Sequence, residues 1–126
     1  MKIRTNIIPL AILFFFMSCK TDQVSVRLQN ISNYDFKEIT VRLGDSIKTF
    51  KNLKQGFKTD KFKTNTTYGY CYTHIILANN DTVNLKPIDY VGEKLYKRGK
   101  IKIQFKIIKN KKSNTYHVLI KTKPRI

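Results

Sequence analysis

An all-β fold is predicted for this chain: an antiparallel, immunoglobulin-like β-sandwich that follows an N-terminal signal segment. Three observations lead there. Apolar and polar residues alternate with period two in several short runs, turn residues separate those runs at regular spacing, and no segment keeps a helical period. A small barrel or an up-and-down lipocalin-like sheet is the alternative arrangement of the same strands.

The elements follow in order. Val24 to Gln29 alternates strictly, as a half-buried strand does, and Asn30 to Asn33 supplies turn residues. Glu38 to Leu43 alternates again, and Gly44-Asp45 makes a tight turn into Ser46 to Phe50. Lys54-Gln55-Gly56 is a further turn, and Phe57 to Lys63 reads as a short edge strand whose lysines discourage strand-to-strand aggregation. Thr66 to Ala78 is a long run rich in Tyr, Thr and Ile, expected as a central strand buried on both faces. Asn79-Asn80-Asp81 turns it into Thr82 to Lys86. In Lys100 to Ile108, Ile101, Ile103, Phe105 and Ile107 face inward and Lys100, Lys102, Gln104 and Lys106 face outward. Asn110 to Asn114 turns the chain into a closing strand from Thr115 to Lys121.

The first residues have a different composition. Lys2 and Arg4 give a basic start, Ile7 to Met17 is apolar apart from Pro9, and Ser18 is the small residue before Cys19. The apolar run is shorter than the roughly 20 residues that a membrane-spanning helix needs. This order of parts is that of an export signal. Phe16-Met17-Ser18-Cys19 resembles the lipobox of bacterial lipoproteins, which implies cleavage between Ser18 and Cys19 and acylation of Cys19. The expected organisation is therefore a signal peptide at 1–18, a lipidated Cys and short tether at 19–23, and one β-domain at 24–123. Two or more acyl chains hold a protein on a membrane stably, whereas one holds it marginally. The expected address is the bacterial envelope, on the outer membrane in preference to the inner one.

Cleavage after Ser18 leaves 108 residues, enough for one domain. Cys71 is then the remaining cysteine beside the acylated one, and a buried apolar role is expected for its thiol. The 25 Lys and Arg against 8 Asp and Glu become 23 against 8 without Lys2 and Arg4, a net charge of +15. Such an excess draws anions over a long range. The expected partners are a membrane, through the lipid anchor and anionic lipid, lipopolysaccharide or glycan, and a protein partner of unspecified kind. The cations are 20 Lys and 5 Arg, and Lys is the less selective phosphate ligand of the two. Part of the charge is equally read as compositional bias and a solvated strand face. The densest candidate anion-binding stripe is Lys97, Arg98, Lys100, Lys102 and Lys106. Nucleic acid is disfavoured, since aromatic platforms are wanted beside the charge and Tyr68, Tyr70 and Tyr72 are expected in the core.

Pro87-Ile88-Asp89-Tyr90-Val91-Gly92-Glu93, followed by Gly99, is a distinctive block. Together with Asn30-Ile31-Ser32, Lys54-Gln55-Gly56 and the tyrosines 68, 70 and 72, it resembles a family of small Bacteroidetes lipoproteins over residues 24 to 108. The resemblance implies export, lipidation and a β-sandwich, and no catalytic residue. Read physically, the block is a loop. Pro87 presets its own φ and Gly92 permits a positive one. Asp89, Tyr90 and Glu93 are its candidate recognition residues. The competing reading is a loop whose carboxylates are consumed locally.

Catalytic and metal signatures are missing from the sequence: it has no His-Glu-x-x-His, no Gly-x-Ser-x-Gly, no paired-Cys motif and no Gly-rich phosphate loop. Cys71 and His74 are three apart, so on one strand they point to opposite sides. No enzyme, metal or cofactor is expected. Asp45-Ser46-Ile47 and Asp81-Thr82-Val83 resemble Bacteroidetes O-glycosylation sites, which makes Ser46 and Thr82 candidate acceptors.

Overall fold

The computed structural model describes residues 23–125. The signal segment, its Ser18–Cys19 cleavage and acylation site, and most of the tether lie outside the described residues. The ten strands are β1 (Val24–Asn30), β2 (Phe36–Leu43), β3 (Ser46–Leu53), β4 (Phe62–Thr64), β5 (Thr67–Tyr68), β6 (Tyr72–Leu77), β7 (Thr82–Leu85), β8 (Leu95–Tyr96), β9 (Gly99–Asn110) and β10 (Thr115–Pro124). One sheet has the order β10-β9-β1-β4, a second has the order β3-β2-β6-β7, and β5 and β8 form a small third sheet.

The fold is all-β and sandwich-like, and the alternation explains why. Val24, Val26 and Leu28 on β1 and Ile101, Ile103, Phe105 and Ile107 on β9 are buried. They join Ile39, Val41 and Leu43 of β2 and Ile75 and Leu77 of β6 in a single apolar cluster. Each fully buried side chain of this size contributes about 1.5–3 kcal/mol through removal of apolar surface from water.

The structure departs from the expected elements in four places. The pairing is not antiparallel throughout, because β1 and β9 run parallel, with Val24 opposite Gly99 and Leu28 opposite Ile103. This puts the first strand between the late β9 and the short β4 and leaves β4 and β10 as the sheet's edges. The run from Thr66 to Ala78 is not one strand buried on both faces; it breaks after Tyr68, and β6 buries only Thr73, Ile75 and Leu77. The break occurs where Gly69 passes against β10: a Cβ there would sit 2.8 Å from the Thr122 side chain, whose hydroxyl donates to Gly69 O at 2.6 Å. The edge strand expected at Phe57 to Lys63 is regular only as β4; its earlier part is an isolated bridge of Lys58 with Gln29. Finally, Gln104 is buried, its amide donating to Gln29 Oε1 at 2.9 Å.

Two of the sequence motifs meet at one end of the domain. Asn30 is buried; its amide donates to Tyr34 O and Leu53 O, and its Oδ1 accepts from the Ser32 amide and hydroxyl. Gly56 N in turn donates to Asn30 O at 2.7 Å. Asn-x-Ser and Lys-x-Gly are thus two halves of one turn-locking network, where each buried polar group finds a partner. At the opposite end, Gly44 adopts φ +57°, and a Cβ there would lie 2.8 Å from Thr66 O, so both conformation and space call for glycine.

Candidate anion-binding cleft

The parallel register of β1 and β9 builds the site. Odd-numbered side chains of β1 point outward, as do the even-numbered ones of β9. The register therefore sets Ser25 beside Lys100 and Arg27 beside Lys102. On the other flank β10 sets Lys123 beside Lys102. Beyond β1, the segment after β3 runs along the sheet edge: Thr59 is buried, its amide donates to Leu28 O, and its hydroxyl accepts from Leu28 N. Anchored in this way, Lys58 and Lys61 come in from the far side.

The result is an open cleft of about 470 Å³ lined by Arg27, Lys58, Lys61, Lys100, Lys102, Lys123, Pro124 and Arg125. Seven of these eight residues are cationic, and among the described residues no carboxylate lines the cleft. Arg125 is held across the sheet: its Nε donates to Ile101 O at 3.0 Å, and one Nη donates to Ser25 O at 3.0 Å and to Ser25 Oγ at 2.9 Å. Burial, and next the positive charge of Arg27, lower the Arg125 pKa from its ordinary value. Arg27 has no such anchoring at Nε, which is enclosed and meets no acceptor among the described residues. An enclosed donor left unpaired costs about 1–3 kcal/mol, more when charged.

Of the stripe expected from sequence, Lys100 and Lys102 line the cleft. Lys106 is exposed farther along β9, opposite Leu119, and Lys97 and Arg98 precede the strand without lining the cleft. Arg27, Lys58, Lys61, Lys123 and Arg125 were missed. Arg27 and Lys123 were legible as outward positions of their strands, but which strands stand next to β9 is set by pairing across the whole domain.

The loop from Pro87 to Gly99 is built differently. Asp89 Oδ1 accepts from Val91 N at 3.2 Å, an Asx turn that spends the carboxylate on the loop itself. Gly92 takes φ +81°, and Glu93 N donates to Tyr90 O. Tyr90 stacks on Tyr68 with ring centroids 4.4 Å apart. Glu93 lines a small recess with Tyr70, Lys94 and Tyr96. The tyrosines expected in the core lie instead at this rim: Tyr68 and Tyr70 are half-buried, and Tyr72 is exposed with Arg42 over its ring. All three stand on the even-numbered side of this run, opposite the buried Thr67, Gly69, Cys71 and Thr73. Ile88 and Val91, at 99% and 88% exposure, form the loop's apolar tip.

The remaining candidates are spread over the domain. Cys71 is buried, and burial raises its thiol to about 11, with a weaker opposing pull from the Thr73 hydroxyl. His74 lies on the outer side of β6 and is hydrogen-bonded to Asn84 through Nδ1. Ser46 is half-buried, with Thr64 Oγ1 at 3.2 Å, whereas Thr82 is exposed at the start of β7.

No family model and no curated protein matches this chain. Among solved structures it is similar to one described as "NMR structure of the protein from Eubacterium rectale", with a TM-score of 0.56 and 14% identity over 79% of this chain and 88% of that one. At that identity the likeness bears on the fold alone.

Proposed function

We propose that this protein is a lipid-anchored binding module of the bacterial envelope, docking on an anionic surface through its cationic cleft and performing no catalysis there. The observation that carries this reading is the cleft itself: seven cationic side chains drawn from β1, β9, β10 and the edge segment, with no carboxylate side chain among the described lining residues. A cleft lined by one sign of charge focuses potential and gathers counter-ions. Among the described residues its lining includes no His, Cys or carboxylate side chain to act as a base at neutral pH, and binding is the chemistry we propose for it.

The proposed anchor supports the same reading. Cys19 precedes β1 by five residues, a reach of at most about 17 Å for extended chain. Val24 pairs with Gly99, and the cleft residues Arg27, Lys100 and Lys102 lie within the first turns of the pleat from that end. An acylated Cys19 therefore holds the cleft near headgroup level. The Bacteroidetes lipoprotein resemblance, the outer-membrane address and the immunoglobulin-like assignment belong to this proposal.

The test is co-sedimentation of the chain from residue 20, which contains every strand, with anionic vesicles, neutral vesicles and lipopolysaccharide across a salt series. A cation near an anionic surface is worth about 1 kcal/mol. Exchanging Lys100, Lys102 and Lys123 for Gln is expected to weaken binding to anionic vesicles by roughly 100-fold with the fold retained. Equal binding to neutral vesicles, or a flat salt dependence, refutes the reading.

A further inference from the structure

Resting on the anion-docking reading, we infer that Arg27 and Arg125 form the seat for one phosphoryl group at the floor of the cleft, with the surrounding lysines as its rim. The two guanidiniums are the planar donors of the cleft; the other five cations are lysines. A guanidinium offers a rigid fork that matches two oxygens of a phosphoryl group, whereas an ammonium acts as a point charge.

The two arginines are prepared in different ways. Arg125 is fixed by backbone Ile101 O and Ser25 O and by the Ser25 hydroxyl, so its position does not depend on a ligand. These partners are neutral oxygens, and among the described residues no carboxylate bonds to it. Arg27 is the responsive member. It lines the cleft, yet its Nε is covered and bonds to nothing among the described residues. Placing two like charges close enough to perturb each other, with no carboxylate side chain among the described lining residues, is an arrangement that an oxyanion relieves. Turning the Arg27 guanidinium onto that oxyanion pairs the orphaned Nε–H. A tetrahedral phosphoryl group presents oxygens to both forks at once, and its charge of about −1.5 to −2 as a monoester suits two guanidiniums. A carboxylate presents one edge and one charge.

Phosphomonoester headgroups in a membrane and soluble phosphate share this chemistry. The experiment follows the Arg Nε–H resonances of the chain from residue 20 by NMR during titration with inorganic phosphate, with chloride at matched ionic strength as the reference. A second arm adds vesicles containing phosphatidic acid, or phosphatidylserine at equal surface charge. Saturable shifts at both Arg27 and Arg125 are expected with phosphate and not with chloride. Arg27→Gln is expected to weaken phosphate at least tenfold, and Arg27→Lys to leave most of that loss in place. Displacement of phosphate by phosphatidic acid but not by phosphatidylserine supports a lipid headgroup as the source; displacement by neither supports soluble phosphate. Chloride shifts equal to those of phosphate, or an Arg27→Gln variant that binds phosphate as the parent does, overturn the seat. If salt-sensitive vesicle binding persists in that case, the docking reading stands without it. If vesicle binding is absent too, both fall.

Discussion

The two four-stranded sheets present very different outer faces to solvent. On β3-β2-β6-β7 the polar side chains find partners within the face: Thr40 and Thr49 share a hydrogen bond of 2.9 Å, His74 meets Asn84, Arg42 sits over Tyr72, and Glu38 stands opposite Lys51. On β10-β9-β1-β4 the register sets Arg27, Lys102 and Lys123 side by side, and among the described residues Arg125 bonds to neutral oxygens. Both faces belong to one sandwich and share one core. What differs is whether pairing places complementary or like groups across neighbouring strands. A face closed on itself spends its polar groups internally; a face of like charges leaves them to water and counter-ions.

Four experiments sharpen or break that contrast. The largest effect lies beneath both faces. Phe105 is fully buried, and Phe105→Ala is expected to cost about 3–5 kcal/mol in denaturant unfolding. Cooperative loss of both faces in one transition is expected; two separate transitions would show that the sheets fold as independent units.

Next comes placement at constant charge. Exchanging Lys100, Lys102 and Lys123 for Gln is expected to cost about 3 kcal/mol in binding to anionic vesicles. Exchanging Lys37, Arg42 and Lys51 on β2 and β3 removes as many charges and is expected to change binding only a few-fold. Equal losses from the two triple variants would reduce the contrast to net charge alone.

Third is Cys71, in the interior behind the second sheet. Its thiol stays protonated up to about 11 in the folded protein, against 9.0 for an ordinary one. Above pH 9 the unfolded chain releases a proton that the folded chain keeps, so stability falls as pH rises. The slope approaches about 1.4 kcal/mol per pH unit across that window. Cys71→Ala is expected to remove this component from urea melts at pH 8 and pH 10.5, and an unchanged slope would show that the thiol titrates normally.

The smallest effect is the Thr40–Thr49 pair. A double-mutant cycle to Val is expected to give a coupling of about 0.2–1 kcal/mol, with vesicle binding untouched. A coupling of zero would mean that this face is no better satisfied than the other.

How much of this was legible beforehand varies with the range of the interaction. The inward set Ile101, Ile103, Phe105 and Ile107 is buried as the alternation implies. The turns at Gly44-Asp45 and Asn79 to Asp81 fall where turn residues cluster. The break at Gly69 was not legible, because it follows from the close approach of Thr122, 53 residues away in the chain. The outward sense of Lys100 and Lys102 was readable from β9 alone, but their company was not. Arg27 lies 75 residues before Lys102, and nothing local links them.

The sequence by itself therefore determined the strand periods, the turns and the inward residues, since period two and turn chemistry are properties of a few adjacent residues. It also set the excess of cations that any face would have to carry. Tertiary structure alone decided the parallel pairing of β1 with β9, the stationing of Lys58 and Lys61 beside them, and the crossing of Arg125 onto Ser25. Those choices depend on which distant apolar faces bury each other best, and a run of alternating residues does not specify its partner. The cleft is a product of register, and register exists only once the strands have met.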